Sequence, residues 1–320
     1  MNPSRSEWPA ERSGATLLLV ACALMWSSAG LLSRLLEASS PAQTSFWRSF
    51  FCALTMLIIL LVEHRGAVLR AVTAMGWVGW LSGLLWAVIF TNFMIAMMLT
   101  SVANTLLMIG ISPLMAAVLA RIVLGERIAP PTWFVIAIAA AGLWWMVREA
   151  LSTEGPEGLL IAATVPVATA INLVAIRRSG TRVNLGPAVM LGSSISCLVL
   201  LPFVGSSALG HPARDLLILA LLGAFQLAIP CWLMVRAARR LRPHEVSLIA
   251  LLEVVLGPIW VWLGAGEVTP ITTIQGGAVI VAALIINEVL SARDRTLSER
   301  AIAVKPGNAR ADDRSSERNK

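Results

Sequence analysis

The chain has 320 residues, 57% of them hydrophobic and 13% charged, with a mean hydropathy of +0.78. Soluble domains carry roughly 25% charged residues, and a water-soluble fold of this length could not hide so much apolar surface, so lipid is the solvent that fits. The net charge of +7 does not indicate nucleic acid, because the basic residues sit in short loops and a C-terminal tail rather than on one face of a domain.

A membrane-spanning helix needs about 20 mostly apolar residues. In chain order, a short N-terminal segment (1–14) precedes candidate spans at 15–36, 43–63, 76–97, 102–123, 130–149, 157–177, 184–205, 214–236, 244–264 and 270–290. Residues 291–320 are polar and charge-dense, which predicts a disordered tail. In the first span, Leu19-Val20-Ala21-Cys22 resembles a lipoprotein cleavage box. The apolar run continues past Cys22, so a retained helix is expected instead. Cys22, Cys52, Cys197 and Cys231 all lie in apolar stretches without metal-type spacing, as small core residues rather than a disulfide framework. Twelve Trp and no Tyr suit a chain that anchors at lipid headgroups through indoles.

Charge placement gives orientation. With the N-terminus in the cytoplasm and ten alternating spans, 21 of the 25 Lys and Arg residues face the cytoplasm. Arg34, Arg148 and Arg214 face outward, and Arg48 lies within the second span. By the positive-inside rule this supports ten crossings, both termini cytoplasmic and a place in the cell inner membrane.

A shift of 141 residues lays Ser112-Pro113 on Glu253-Val254 and Gly125-Glu126 on Gly266-Glu267. Two five-helix halves, 15–149 and 157–290, are therefore expected as inverted repeats, since an odd number of spans turns the second copy over. The fold class that follows is all-α integral membrane.

The residues also resemble a known family. Leu24-Met25-Trp26-Ser27-Ser28 is similar to the motif that opens EamA-type members of the drug/metabolite transporter superfamily, and Phe46-Trp47-Arg48 to a feature of their second helix. Ser112-Pro113 through Leu124-Gly125-Glu126-Arg127 resembles the stretch closing their fourth helix, and Leu252-Glu253 through Gly266-Glu267 its counterpart in the ninth. Val254 stands where that pattern has Pro, with Pro258 one turn later, and Ala170 of the sixth span stands where the first has Trp26. The resemblance implies a central cavity between the halves and export or exchange of small metabolites such as amino acids.

Several residues are candidates for the work. Arg48 is a cation in lipid, costing roughly 2.5–3.5 kcal/mol on insertion scales, so it faces either a watered cavity or, by snorkelling, the outer interface. Glu253 lies deeper, where a carboxyl group either pairs with a cation or carries a proton, making it the leading candidate for proton coupling or substrate sensing, with a structural carboxyl bonded to backbone left open near Pro258 as the alternative. Glu253, Leu256, Gly257 and Trp260 share one helix face. Trp26, Trp86, Asn92, Asn104, Asn172 and Gln226 complete a set that could line one polar cavity, with interhelical hydrogen bonds as the alternative for each amide. Pro113, Pro166, Pro230 and Pro258 are expected to kink their spans. Glu126 and Glu267, at helix ends, are read as structural.

No phosphate loop, metal-spaced cluster, cofactor motif or nucleophile-plus-base arrangement is visible. This leaves secondary transport or facilitated diffusion of a small-molecule substrate, with the bilayer as partner and no nucleic acid, and the reading adopted is a secondary transporter working by alternating access around a midplane site. A non-transporting sensor or an integral membrane enzyme is the competing class.

Overall fold

The computed structural model describes residues 7–37, 40–125, 130–153, 156–179, 185–205, 212–237 and 243–303, and among them every regular element is helical. The helices are α1 (Glu7–Ser27), α2 (Ala29–Arg34), α3 (Pro41–Glu63), α4 (Val68–Thr73), α5 (Gly76–Leu99), α6 (Val102–Gly110) and α7 (Ser112–Leu124). There follow α8 (Pro130–Thr153), α9 (Pro156–Ser179), α10 (Leu185–Val204), α11 (Ala213–Ala220), a π-helical stretch (Leu221–Ala228), α12 (Ile229–Ala237), α13 (Pro243–Ala265) and α14 (Ile271–Ala303).

Eight helical runs are long and apolar enough to cross a membrane: Gly14–Arg34, Pro41–Glu63, Gly76–Leu99, Val102–Leu124, Pro130–Leu151, Pro156–Ile176, Gly186–Val204 and Ala213–Met234. In the regions of the ninth and tenth expected spans the apolar stretches are shorter, Leu252–Ala265 and Ile271–Ile286. Leu17, Trp77, Phe134, Trp144, Leu198 and Phe203 are each about 70% exposed. In water such a surface would aggregate, whereas a helix that keeps its backbone bonded internally can present it to lipid. Trp77, Trp133 and Trp262 lie exposed near helix ends, as an indole belt requires.

Three runs are broken where the sequence predicts continuous spans. The first turns at Ser28, whose hydroxyl bonds the Met25 carbonyl at 2.7 Å. The fourth turns at Ile111, just before Pro113, which occupies the first turn of α7 and so lacks no helical bond there. The eighth carries the π-helical stretch, and Pro230 begins α12 directly after it. Pro166 and Pro258 lie inside helices, as does Pro202 of α10, which the sequence reading passed over. At the chain's end, α14 is helical over residues 291–303, which the sequence assigns to a disordered tail. Continuing an existing helix needs no new nucleus, and the segment is rich in the good helix formers Ala and Arg. The rest of that tail, 304–320, lies outside the described residues, as do Glu126 and residues 1–6 of the N-terminal segment.

The packing has an internal symmetry. Contacts join α5 to α9 and α1 to α12, α10 to α5 and α3 to the π-helical stretch, α7 to α9 and α1 to α13. Each pair turns into the next when the first five runs are exchanged with the second five, while α3–α10 and α8–α14 map onto themselves. The repeated glycines obey the same exchange: Gly125 and Gly266 both end their runs with left-handed backbone, at φ +69° and +68°. Glycine takes that conformation without the steric cost a Cβ would add.

Helix ends are pinned in groups. Ser40 caps α3 in a capping box with Gln43, and the Gln43 Nε2 reaches the Val204 carbonyl at 3.1 Å. Glu37 pairs with Arg214, Thr272 donates to Glu149, and Trp145 donates to Gln275 at 3.2 Å. At the opposite ends, Trp232 donates to Glu63 at 2.8 Å. These partners are ends that an alternating path through a bilayer places on the same side. All four cysteines are free.

Candidate functional site

The centre of the molecule is an apolar cluster that includes Cys52, Ile89, Phe90, Phe93, Met94, Leu106, Val165, Ala168, Leu227 and Val261, with Trp26 and Trp86 packed at its margin. Into this cluster α3 sends Arg48, only 2% exposed. Its Nε and Nη2 donate to Gln226 Oε1 at 3.2 and 3.0 Å, its Nη1 to the Phe90 carbonyl at 3.4 Å, and its guanidinium lies 5.2 Å from the centre of the Phe93 ring. Arg48 therefore does not snorkel. It is a buried cation satisfied by charge-assisted hydrogen bonds and an aromatic face.

Gln226 completes the arrangement by donating through Nε2 to the Trp26 carbonyl at 3.2 Å. That carbonyl is at the end of α1, beside the break at Ser28. Gln226 can meet Arg48 because Gly223, one turn earlier, has no side chain. A Cβ there would lie 2.5 Å from the Arg48 carbonyl and 2.5 Å from the Phe51 Cβ. The exchange-related crossing of α10 over α5 is made the same way, by Gly192 against the Gly83 carbonyl and the Trp86 Cβ.

Glu253 enters from α13. It is half-buried, and Arg48 acts on it electrostatically, yet no direct ion pair joins the two. The face it shares with Gly257 and Trp260 is turned to α1 and α6. Gly257 lies against Leu106 and the Ser27 carbonyl, and Trp260 Nε1 donates to Ser27 Oγ at 3.0 Å. The other apolar member of that face, Leu256, is partly buried.

The remaining predicted residues divide. Asn92 Nδ2 donates to Thr164 Oγ1 at 2.7 Å, bracing α5 against α9. Asn104, fully buried, donates to Thr100 Oγ1 at 3.4 Å and accepts from Thr273 Oγ1 at 3.2 Å, bracing α6 against α14. For these two the interhelical alternative is what the structure contains. Trp86 Nε1 and Asn172 Oδ1 are buried without a hydrogen-bond partner. Arg48, Gln226 and the Trp26 backbone thus form one connected group, Glu253 and Trp260 stand beside it, and Asn92 and Asn104 lie elsewhere.

Sequence reasoning passed over Phe90, Phe93, Ser27 and Ser82. Phe90 and Phe93 carry no signal as isolated aromatics in an apolar helix. Their relation to Arg48 appears only once α5 packs on α3. Ser49 and Thr91, both bonded to Ser196 Oγ at 2.9 and 2.7 Å, form a further hydroxyl cluster between α3, α5 and α10.

Two lateral clefts open between helices. One, of about 370 Å³, is lined by Leu114, Val118, Ile136 and Ile171, the other, of about 560 Å³, by Leu107, Pro258, Trp262 and Thr273. Both walls are almost wholly apolar, as for surfaces that meet lipid chains. Among the described residues no three His, Cys, Asp or Glu side chains gather as metal ligands would.

Comparison with known proteins agrees with this architecture. The model of the EamA-like transporter family matches twice, over residues 13–148 and 156–288. A solved crystal structure matches 87% of this chain and 98% of its own, at 21% identity and a TM-score of 0.60, which is a likeness of fold. No curated protein matches the sequence.

Proposed function

The chain belongs to the EamA-like transporter family, and from that premise we propose that this multi-pass membrane protein is a secondary transporter of a small organic solute. The proposal places ten crossings in the inner membrane, with both termini in the cytoplasm and the two halves inverted. The halves rock about the layer that holds Arg48, Gln226 and Glu253, exposing it to each side in turn. Amino acids and related metabolites are the substrate class, moved by export or exchange, with Glu253 as the carrier of any coupling proton.

One observation carries this reading. The buried cation of the first half is held by a side chain of the second half, and that side chain is tied back to the backbone of the first. A charge in the membrane interior costs several kcal/mol, of order 2.5–3.5 on insertion scales. Spending that cost at the seam between the halves supports a polar site there, because a rigid scaffold would gain more from apolar packing.

The test has two stages. Metabolite pools of cells with and without the protein identify solutes whose levels change, and flux of those solutes is then measured in proteoliposomes. Flux above that of empty vesicles is expected. Binding without flux would make the protein a sensor instead. Reporters on the two ends check the topology, and placement on opposite sides would overturn the inverted arrangement.

A further inference from the structure

Three buried polar atoms near the centre have no hydrogen-bond partner: Ser82 Oγ, Trp86 Nε1 and Asn172 Oδ1. A fourth, Thr44 Oγ1, stands apart at the start of α3. Buried polar groups are nearly always paired, because leaving one unmade forfeits its hydration without return. Three together call for a common cause.

They lie on two helices that pack against each other, α5 and α9. Ser82 and Trp86 are one turn apart on α5, on the stripe that continues through Ile89 to Phe93 beneath the Arg48 guanidinium. The Trp86 ring lies 5.0 Å from that of Phe90, whose carbonyl Arg48 holds. On α9, Asn172 follows Val165 and Ala168 at helical spacing, and both of those belong to the central apolar cluster with Phe93. The two helices run antiparallel in a known register, since Asn92 bonds Thr164 and Gly158 meets Leu99 and Thr100. Going from the Asn92–Thr164 bond toward the other ends, Trp86 lies about 9 Å along α5 and Asn172 about 12 Å along α9, at 1.5 Å per residue. They therefore lie within about 3 Å of one level along the two packed helices, and Ser82 lies one turn beyond Trp86 on α5.

The chemistry of the set selects a partner. An indole N–H can only donate and an amide oxygen can only accept. An ionised carboxylate would set an oxygen against the Asn172 oxygen, and the interior cation Arg48 is already committed to Gln226 and Phe90. An ammonium group would set its hydrogens against the Trp86 N–H. A primary carboxamide has the acceptor for Trp86 Nε1 and the donor for Asn172 Oδ1 side by side, and leaves Ser82 to take either role.

We propose that Ser82, Trp86 and Asn172 form a recognition site for a primary carboxamide on the solute, walled by the rings of Trp86 and Phe90. This names a substrate class and so rests on the transport reading, although binding at the site does not require translocation.

The full chain in lipid nanodiscs is assayed for equilibrium binding and thermal stability with four amides, each against its acid. The pairs are glutamine and glutamate, asparagine and aspartate, nicotinamide and nicotinate, acetamide and acetate. At least one amide is expected to bind tenfold or more tightly than its acid. Asn172→Leu and Ser82→Ala, which each remove an unpartnered atom with little change of volume, are expected to weaken that binding at least tenfold without lowering the melting temperature of the ligand-free protein. Amides and acids binding alike, no amide binding, or loss of ligand-free stability in the variants would each overturn the proposal, the last by showing that the atoms serve the fold through bound water. Amide selection without flux would keep this site and reject transport. Flux of a solute lacking an amide, unchanged in Asn172→Leu, would reject the site and keep transport.

Discussion

Arg34 and Glu267, 233 residues apart, meet at 2.7 Å where the end of α2, the turn before α6 and the segment after α13 come together. The contact has two further strands. Arg34 Nη2 donates to the Thr100 carbonyl at 3.1 Å, and the other carboxylate oxygen of Glu267 accepts the Val102 backbone N–H at 3.0 Å. Through the second of these bonds Glu267 caps the first turn of α6.

Two substitutions separate these roles. An ion pair about one quarter exposed contributes about 0–1 kcal/mol, and loss of a helix cap costs about 1 kcal/mol. Glu267→Gln keeps an acceptor for Val102 and should lower stability slightly. Glu267→Ala removes both contacts and should lower it by about 1 kcal/mol more, read from thermal unfolding of the purified protein. Equal effects would show that the cap contributes nothing.

The bond between Arg48 and Gln226 is the energetic centre of the interior. Hydrogen bonds to charged groups contribute about 1.5–3 kcal/mol, and stranding a buried charge by removing its partner costs about 3–5 kcal/mol. Gln226→Leu should therefore destabilise more than the double substitution Arg48→Met with Gln226→Leu, which leaves no stranded charge. A double-mutant cycle on unfolding measures this. Additive single effects would mean that the two side chains are not coupled.

The helices were legible in the sequence because each apolar run is long enough to demand lipid and is ended by Gly, Pro or charge. Their breaks were not. The π-helical stretch contains Gly223, on which α3 packs closely, a contact that no local pattern encodes. Arg48, Gln226 and Glu253 could be picked out as rare polar groups among apolar neighbours, whereas Asn92 and Asn104 look the same in sequence and are braces in space. Ser82 was invisible for a related reason. A helical serine usually bonds the carbonyl three or four residues back, as Ser33 and Ser193 do, and only the packed structure reveals one that does not.

Helix crossings at glycine give a sterically defined prediction. A methyl group on Gly223 would stand 2.5 Å from the Arg48 carbonyl, and one on Gly192 would stand 2.8 Å from the Gly83 carbonyl. Backbone atoms cannot rotate away, so each helix pair must separate. Overpacking of this kind costs about 1–3 kcal/mol. Gly223→Ala should also disturb the Arg48–Gln226 bond, while Gly192→Ala should disturb the wall at Trp86. Similar stability loss in both, with unequal effects on binding, is the expected outcome in paired melting and ligand-binding measurements. Unchanged melting temperatures would contradict the close approach.

Glu253 offers the sharpest functional test. It stands within electrostatic reach of Arg48 without pairing to it, is half-buried, and shares its face with Gly257 and Trp260 against the first helix. A carboxyl group so placed can hold or release a proton with little rearrangement of its neighbours. Glu253→Gln preserves shape and hydrogen-bonding capacity while fixing the neutral state. If the proton drives transport, the variant should insert and fold normally and still exchange labelled for unlabelled solute across vesicles. It should lose accumulation driven by a pH gradient, by at least tenfold in initial rate. Loss of exchange as well would place Glu253 in solute binding rather than coupling. Normal gradient-driven accumulation would remove it from the mechanism altogether.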